Sequence, residues 1–234
     1  MLVLVHGAGF GASCWGPMVD CLDQPAYAVD LPGRGKHPAD ITSMTADDFA
    51  DSLVADIDGA GFDEVVLVGH SAAGQTLPRV VDRIPSRIRH LIYVSCVVPR
   101  HGQSSAEALE LADVSDHFDE SAQGGQVAKM PQNLARSLFC NDMNDDQTEL
   151  TLRLLVPDNP RIHEQMDLTG LRHGIPQTWV KLTRDVIIPP LKQEEFVTNL
   201  GPAGSIEVIE VDAGHMAMIS SPEALAHALG SVVS

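Results

Sequence analysis

The sequence predicts an α/β protein built on a mostly parallel, six-stranded sheet flanked by helices, with a helical cap inserted between two strands. Six short apolar runs, largely β-branched, each end in a turn signal, at residues 2–5, 27–29, 65–68, 91–94, 179–182 and 206–211. The runs barely alternate between apolar and polar residues, so both faces of each strand are expected to be buried, as in a parallel sheet. Helical patterns lie between the runs, which favours a doubly wound sheet with right-handed crossovers.

Two of the predicted helices have recognisable starts. Thr45 and Asp48 form a capping-box-like pair at one of them. Near the C-terminus, Ser221 is predicted to cap a helix that has Pro222 at its first position. In each case the apolar positions that follow share one helical face. These positions are Phe49, Leu53 and Ile57 in the first helix, and Leu225, Leu229 and Val232 in the second.

The segment 99–176 breaks the alternation of strands and helices. It contains helix-like pieces but no convincing strand, and it is too long for a simple crossover. We therefore predict a single domain, with an α/β core formed by residues 1–98 and 177–234 and a helical cap formed by residues 99–176. The helix-like pieces of the cap are 105–112, 131–139 and 145–155.

Charge and hydropathy narrow the classes of partner. The 234 residues carry a formal net charge of −17 at pH 7, and such an acidic surface disfavours nucleic acids and anionic membranes. No apolar run reaches the roughly 18 residues that would suggest a membrane-spanning helix. The apolar start MLVLVHG lacks a basic region and a cleavage site, so we predict a strand rather than a signal peptide, and a cytoplasmic protein.

The cysteines and histidines do not suggest a metal site. Cys14, Cys21, Cys96 and Cys140 are scattered, with no C-x-x-C pair, and no histidines cluster at ligand spacing. Four such thiols are expected to be reduced and to pack as small apolar groups. No metal is predicted.

The strongest chemical motif is GHSAAG at residues 69–74, directly after an apolar strand and before a helical pattern. This is the setting of a nucleophile elbow, in which a serine occupies a strained turn between small neighbours. Gly69 meets that need. Ala73 stands where the common G-x-S-x-G motif has its second glycine, and Gly74 follows it. The alternative is an ordinary strand–turn–helix in which Ser71 is incidental.

A serine nucleophile needs a base that is oriented by an acid, and in this kind of site the chain order is serine, acid, histidine. Asp185 and His215 each follow a predicted strand, so both are expected at the same sheet edge as Ser71. The alternative acids, Asp158 and Glu164, fall in the predicted cap. His70 adjoins Ser71 and is predicted to be a packing or hydrogen-bonding residue rather than the base.

An oxyanion hole requires two N–H donors. We assign one to Ala72, directly after the nucleophile, and the other to Ala8 in the glycine-rich loop that follows the first strand. Such a loop also occurs in dinucleotide-binding proteins. However, Gly7, Gly9 and Gly11 do not complete G-x-G-x-x-G, and only Asp30 suits a ribose position.

These motifs resemble the plant methylesterase and hydroxynitrile lyase branch of the α/β-hydrolase superfamily. The resemblance implies a six-stranded, all-parallel sheet and covers roughly residues 1–100 and 176–234, whereas it is weak in the cap. The motifs that carry it are VHGAGFGASCW at 5–15, GHS at 69–71, LTRDVIIP at 182–189 and GHMAM at 214–218.

Two positions separate esterases from lyases within this branch. The lyases typically carry Thr directly after the histidine of the first loop and Lys directly after the catalytic histidine. Here these positions are Gly7 and Met216. The resemblance therefore implies a carboxylic ester hydrolase that acts on a small-molecule ester with no metal or organic cofactor. Dimers are common in the branch, which leaves a homodimer open.

Other functions remain open from the sequence. The same three residues can support a lyase, or cleavage of C–C or thioester bonds, and the fold can also serve as a ligand receptor. The substrate pocket is predicted from residues that flank the motifs, each of which has core packing as its alternative. They are Phe10, Trp15, Cys96, Met216 and Met218, with Phe118, Leu138, Phe139 and Leu155 as contacts from the cap.

Overall fold

Six parallel strands form one sheet, which confirms the predicted fold class. The computed structural model describes residues 1–110, 129–158, 163–202 and 204–233. The strand order is β2-β1-β3-β4-β5-β6, and each neighbouring pair is parallel. The strands are β1 Leu2–Val5, β2 Ala26–Val29, β3 Val65–His70, β4 Ile88–Val94, β5 Gln177–Leu182 and β6 Glu207–Val211.

The strand order switches sides at β1. The chain places β2 on one side of β1 and then returns to place β3 on the other side. Open α/β sheets place their sites at such a switch point, beyond the carboxyl ends of the strands. The loop after β1 and the turn after β3 are therefore neighbours, and they contain the predicted oxyanion and nucleophile residues.

Helices cover both faces of the sheet. The helices are α1 Gly16–Val19, α2 Ala46–Gly59, α3 Leu77–Arg83, α4 Ser105–Ala108, α5 Gln132–Phe139, α6 Asp145–Leu154, α7 Pro190–Leu200, α8 Ala217–Ser220 and α9 Pro222–Val233. Alternate strand residues point to opposite faces, so Val3 and Val5 belong to one core cluster with residues of α2, α3 and α7, whereas Leu2 and Leu4 belong to another with residues of α1, α5, α8 and α9.

The predicted capping box at the start of α2 is confirmed. The Thr45 hydroxyl accepts from the Asp48 N–H, and the Asp48 carboxylate accepts from the Thr45 N–H at 2.8 Å. The predicted stripe of Phe49, Leu53 and Ile57 is buried. Local sequence signals thus define this helix completely, from its first turn to its buried face.

The chain between β4 and β5 is helical in the described residues, with α4, α5, α6 and a 3-10 helix at Thr169–His173. The predicted helix at 105–112 is wrong at its end, because α4 stops at Ala108 and Glu110 has a φ of +56°, which a right-handed helix cannot contain. Residues 111–112 and Phe118 lie outside the described residues. No helix in the described ranges is long and apolar enough to cross a membrane.

Candidate active site

Ser71 occupies a sharp turn between β3 and the helices that follow. Its φ is +54°, a left-handed conformation that is uncommon for a residue with a side chain. A 3-10 helix, Ser71–Gln75, leads from this turn into α3. The Ser71 carbonyl accepts from the Val97 N–H at 2.9 Å, which ties the turn to the loop after β4. The backbone has the strained strand–turn–helix form of a nucleophile elbow.

Close contacts explain the small residues around the turn. A Cβ on Gly69 would lie 2.8 Å from Leu77 Cδ1 and 3.2 Å from Ala73 Cβ. A Cβ on Gly74 would collide with the Val97 carbonyl oxygen. At position 74, a backbone oxygen therefore leaves no room for a side chain, so glycine is required there. The single methyl group of Ala73 is accommodated and buried.

The structure brings the three predicted triad residues together. Ser71 Oγ lies 3.0 Å from His215 Nε2, and His215 Nδ1 lies 2.7 Å from Asp185 Oδ2. Asp185 comes from the loop after β5 and His215 from the loop after β6, so the parallel strands deliver both to the edge where β3 ends. Both side chains are almost completely buried. This chain of two hydrogen bonds can move a proton from the serine to the imidazole.

Four donors surround the Asp185 carboxylate. Oδ2 accepts from His215 Nδ1 and from the Ser95 hydroxyl at 2.6 Å, while Oδ1 accepts from the N–H groups of Ile187 and Ile188 at 2.8 and 2.9 Å. Burial raises the pKa of this carboxyl, but the facing His215 and the hydrogen bonds lower it by more, so its pKa lies below the usual value. Asp185 therefore stays ionised and holds the proton of His215 on Nδ1.

Sequence reasoning missed Ser95, which orients this carboxylate. It directly follows β4, at the same sheet edge as Asp185, and its φ is +39°. A polar residue at the end of a buried strand is the signal that would have suggested it.

The structure also shows what His70 does. Its Nε2–H donates to the backbone carbonyl of His215 at 2.8 Å, as expected for a hydrogen-bonding residue. Burial, with the nearby His215, holds the pKa of His70 well below its usual value. His70 is thus a neutral donor that supports the loop of His215, and its ring does not contact the Ser71 hydroxyl as a base would.

The glycine-rich loop after β1 passes directly against the nucleophile. A Cβ on Gly7 would lie 2.8 Å from Ser71 Cβ, so only glycine fits there. Ala8 and Ala72 line one small cavity, of about 10 Å³, which is room for roughly one water molecule. Gly7 also lines this cavity, whereas Ser71, Asp185 and His215 do not. Their donor role remains a prediction.

His6 joins this loop to the end of β2. Its Nε2 accepts from the Leu31 N–H at 3.1 Å, and its Nδ1–H donates to the Gly7 carbonyl at 2.8 Å. Burial lowers its pKa to about 4, with a smaller contribution from Arg34. A neutral imidazole with the proton on Nδ1 is the one form that satisfies both contacts.

Comparison with known proteins identifies the family. The model of the "Alpha/beta hydrolase family" matches residues 2–228. The chain belongs to this α/β-hydrolase family. Asp30, on which the dinucleotide alternative depended, accepts instead from the Ala12 N–H of this hydrolase at 2.8 Å.

The similar proteins include plant methylesterases, as the sequence resemblance suggested. "Putative methylesterase 14, chloroplastic" of Arabidopsis thaliana is 28% identical over 95% of this chain and 69% of its own length. "Methylesterase 18" of the same plant is 27% identical over 95% of this chain and 93% of its own length. A solved extracellular α/β-hydrolase from a Paenibacillus species has a TM-score of 0.85 at 24% identity, over 98% of this chain and 97% of that chain.

The alternative acids bind elsewhere in this hydrolase. Asp158 pairs with Arg34 and accepts from the Gly9 N–H, while Glu164 accepts from the Ala46 N–H at 2.9 and 3.0 Å. Asp185 is the carboxylate that His215 contacts. Sequence reasoning named Asp158 and Glu164 as alternative acids but did not predict that they hold backbone loops.

Asp142 is another such residue. Its Oδ2 accepts from the Gly214 N–H at 2.6 Å, directly before His215. A Cβ on Gly214 would lie 2.5 Å from Asp142 Oδ1 and 2.7 Å from Asn141 Oδ1. The turn between α5 and α6 thus braces the loop of the histidine, a contact between distant parts of the chain that sequence spacing cannot show.

The predicted pocket residues are all buried. Phe10, Trp15, Met216 and Met218 belong to the core on one face of the sheet, and Cys96 belongs to the core on the other. None of the five lines the small cavity beside the predicted oxyanion donors. Their burial fits the core alternative, and contact with substrate remains a prediction.

Among the predicted cap contacts, Phe139 lies beside the triad. Its ring centroid is 5.9 Å from that of His215 and 5.2 Å from that of Phe10. Leu155 is buried in the same core cluster, and Leu138 is half-buried. Helix α5 thus places the Phe139 ring beside His215, the predicted catalytic base.

The neutral buried histidines predict acid sensitivity of the fold. We expect the free energy of unfolding to fall as the pH drops from about 7 to 4.5, with His6 alone contributing on the order of 2 kcal/mol. The pKa values of His6, His70 and His90 are lowered in the folded protein, by burial first in each case, whereas unfolded histidines titrate near 6.5. Above pH 6.5 both states are neutral, and below it the unfolded state binds more protons.

Urea unfolding at pH 7.5, 5.5 and 4.5 would measure this dependence. The lowered pKa of Asp185 acts in a separate window, below about pH 4, because an unfolded aspartate titrates near 3.9. A free energy of unfolding that stays constant from pH 7.5 to 4.5 would contradict the histidine account.

Proposed function

We propose that this α/β-hydrolase cleaves the carboxylic ester of a small, largely apolar molecule through an acyl-enzyme on Ser71. The carboxylic ester hydrolase class predicted from the sequence is confirmed by its relatives, which are named methylesterases and esterases. The observation that carries the mechanism is the continuous hydrogen-bonded chain from Ser71 Oγ through His215 to the buried Asp185.

In the first step, Ser71 Oγ attacks the ester carbonyl carbon while its proton passes to His215 Nε2. Asp185 keeps the other ring proton on Nδ1 and stabilises the imidazolium that forms. The N–H groups of Ala8 and Ala72 donate to the oxyanion, each lowering the barrier by about 3 kcal/mol on the scale of known oxyanion donors. His215 then gives its proton to the alcohol oxygen, and the alcohol leaves.

In the second step, His215 Nε2 takes a proton from water, which attacks the acyl-enzyme carbonyl. The same two N–H groups stabilise the second tetrahedral intermediate. Its collapse returns the proton to Ser71 Oγ and releases the carboxylic acid. The chain's own residues supply each proton transfer, so this mechanism uses no metal or organic cofactor.

Two features disfavour cyanohydrin cleavage as the alternative chemistry on this site. The backbone at Gly7 leaves no room for the Thr of the lyases, because any Cβ there would lie 2.8 Å from Ser71 Cβ. Met216, where the lyases carry Lys, is buried in the core and offers no charge for cyanide.

Hydrolysis of p-nitrophenyl esters of increasing acyl length, from acetate to dodecanoate, tests the proposal. We expect turnover of at least some of these esters, and the preferred acyl length will measure the size of the substrate pocket around Ser71. Mandelonitrile cleavage serves as the comparison assay. A folded protein that cleaves mandelonitrile but no ester would be a lyase, and one that binds esters without cleaving them would be a receptor.

A further inference from the structure

Both peptide groups of Gly9, the residue after the predicted oxyanion donor Ala8, are held by the chain between β4 and β5. The Gly9 carbonyl accepts from the Val156 N–H at 2.9 Å, and the Gly9 N–H donates to Asp158 Oδ2 at 2.6 Å. Gly9 has a φ of +76°, so this residue is in a conformation that glycine tolerates and other residues rarely adopt. Two partners from one distant segment thus define its orientation.

A buried arginine completes this attachment. The second carboxylate oxygen of Asp158 pairs with Arg34 Nη2. Arg34 also donates from Nε to the Phe10 carbonyl at 3.2 Å and from Nη1 to the Pro32 carbonyl at 2.8 Å. Arg34 is 4% exposed and Asp158 is 9% exposed. A buried ion pair whose other donors and acceptors are also satisfied holds its neighbours in one geometry.

We propose that Asp158 and Arg34 are positioning residues that fix the glycine-rich loop and so aim the Ala8 N–H at the oxyanion. The inference rests on the proposed function. The Gly9 N–H lies in the Ala8–Gly9 peptide plane, which also contains the Ala8 Cα, so holding this plane fixes one side of the Ala8 residue. The Ala8 N–H lies in the preceding peptide, which is joined to this plane at the same Cα. An oxyanion donor works only when it is held in place before the reaction, and a displacement of about 1 Å can cost about 100-fold in rate.

The predicted cap would thus do more than contact the substrate. Asp158 and Val156 directly follow α6 and bind Gly9. The position of the cap helices therefore affects the conformation of the glycine-rich loop. Both residues bind the loop at Gly9, and Asp158 reaches Phe10 and Pro32 through Arg34.

The chain offers a matched control pair. Glu164 belongs to the same segment, accepts from a backbone N–H at Ala46, and lies 3.6 Å from the buried Arg79. Like Asp158, Glu164 is therefore a carboxylate that lies near a buried arginine and accepts from a backbone N–H. The N–H that it binds is at the start of α2 instead of in the glycine-rich loop. Glu164→Gln should leave hydrolysis unchanged within about twofold if the loop attachment is what matters.

Two double variants isolate the contact to Gly9. Arg34→Met with Asp158→Leu removes both charges and the acceptor, whereas Arg34→Met with Asp158→Asn removes the charges and keeps an amide oxygen for the Gly9 N–H. Both avoid an unpaired buried charge, which is the damage that a single substitution would do. We expect kcat for p-nitrophenyl acetate to fall about 10-fold or more in the leucine variant, with KM within about twofold, and to recover substantially in the asparagine variant.

A trifluoromethyl ketone gives a second readout. Ser71 Oγ adds to its carbonyl carbon, the serine proton passes to His215, and the hemiketal oxygen becomes an anion in the oxyanion hole. Its inhibition constant should rise in parallel with the loss of kcat in the leucine variant. A residue that merely supports the fold would not weaken this inhibitor more than it weakens the substrate.

A single backbone change keeps the test decisive if the leucine variant does not fold. Val156→Pro removes the N–H donor to the Gly9 carbonyl, and Leu155, at φ −61° and ψ 132°, already has the conformation favoured before proline. Its kcat should also fall with KM little changed. The proposal is overturned if the folded variants keep the wild-type kcat and inhibitor affinity while Ser71→Ala is inactive, and in that case the proposed function stands.

Discussion

Replacing Ser71 with Ala should abolish ester hydrolysis and leave the protein folded. The change removes one oxygen, whose hydrogen bond in the structure is the one to His215 Nε2. Loss of a serine nucleophile in a triad lowers kcat on the order of 10⁶-fold. The strained φ of +54° is unchanged in Ala, so the substitution gives little relief of strain and the free energy of unfolding should barely move.

A fluorophosphonate label provides the direct measurement. It should add one phosphonyl group to the wild-type protein, at the peptide containing Ser71, and none to Ser71→Ala. Ser137→Ala is the matched control, because Ser137 lies exposed on α5 and its hydroxyl donates only to the Leu134 carbonyl in the described structure. Near-wild-type hydrolysis by Ser71→Ala would show that another residue is the nucleophile.

Asp185→Asn is expected to lower kcat by about 10⁴-fold, the effect seen when a triad aspartate is replaced by its amide. The physical reason is the arrangement of donors around this side chain. One oxygen already accepts from the N–H groups of Ile187 and Ile188, so the amide oxygen remains there and the NH₂ group faces His215. The histidine must then accept at Nδ1 and carry its proton on Nε2, where it can no longer take the proton of Ser71.

The pH profile separates this tautomer effect from a general loss of structure. A folded Asp185→Asn protein should keep its KM within about threefold while kcat is low across the whole pH range, because the wrong tautomer persists in neutral imidazole. Asp212→Asn is the control from the neighbouring loop, since Asp212 is exposed and binds Thr183 and Arg184 instead of the triad. An Asp185→Asn enzyme within tenfold of wild-type kcat would contradict the assignment of the acid.

Local signals were sufficient for the framework of this protein. The short apolar runs predicted all six strands, and the capping box predicted the start of α2, because each depends on residues close together in the chain. The expected burial of both faces is wrong for β2 and β6, which are partly exposed because they lie at the two edges of the sheet. The order of Ser71, Asp185 and His215 at strand ends predicted that they would meet, since parallel strands share one carboxyl edge. The structure places His215 within hydrogen-bonding distance of both Ser71 and Asp185.

The sequence by itself therefore determined the sheet and the elements that carry the triad. Tertiary structure decided what holds these residues in place: Ser95 against Asp185, Asp142 against Gly214, and Asp158 against Gly9. Gly9 and Asp158 are 149 positions apart, and no periodicity or cap motif relates residues at such a separation. A hydrogen bond between them exists only because the folded core brings two loops together, and only the folded coordinates can show it.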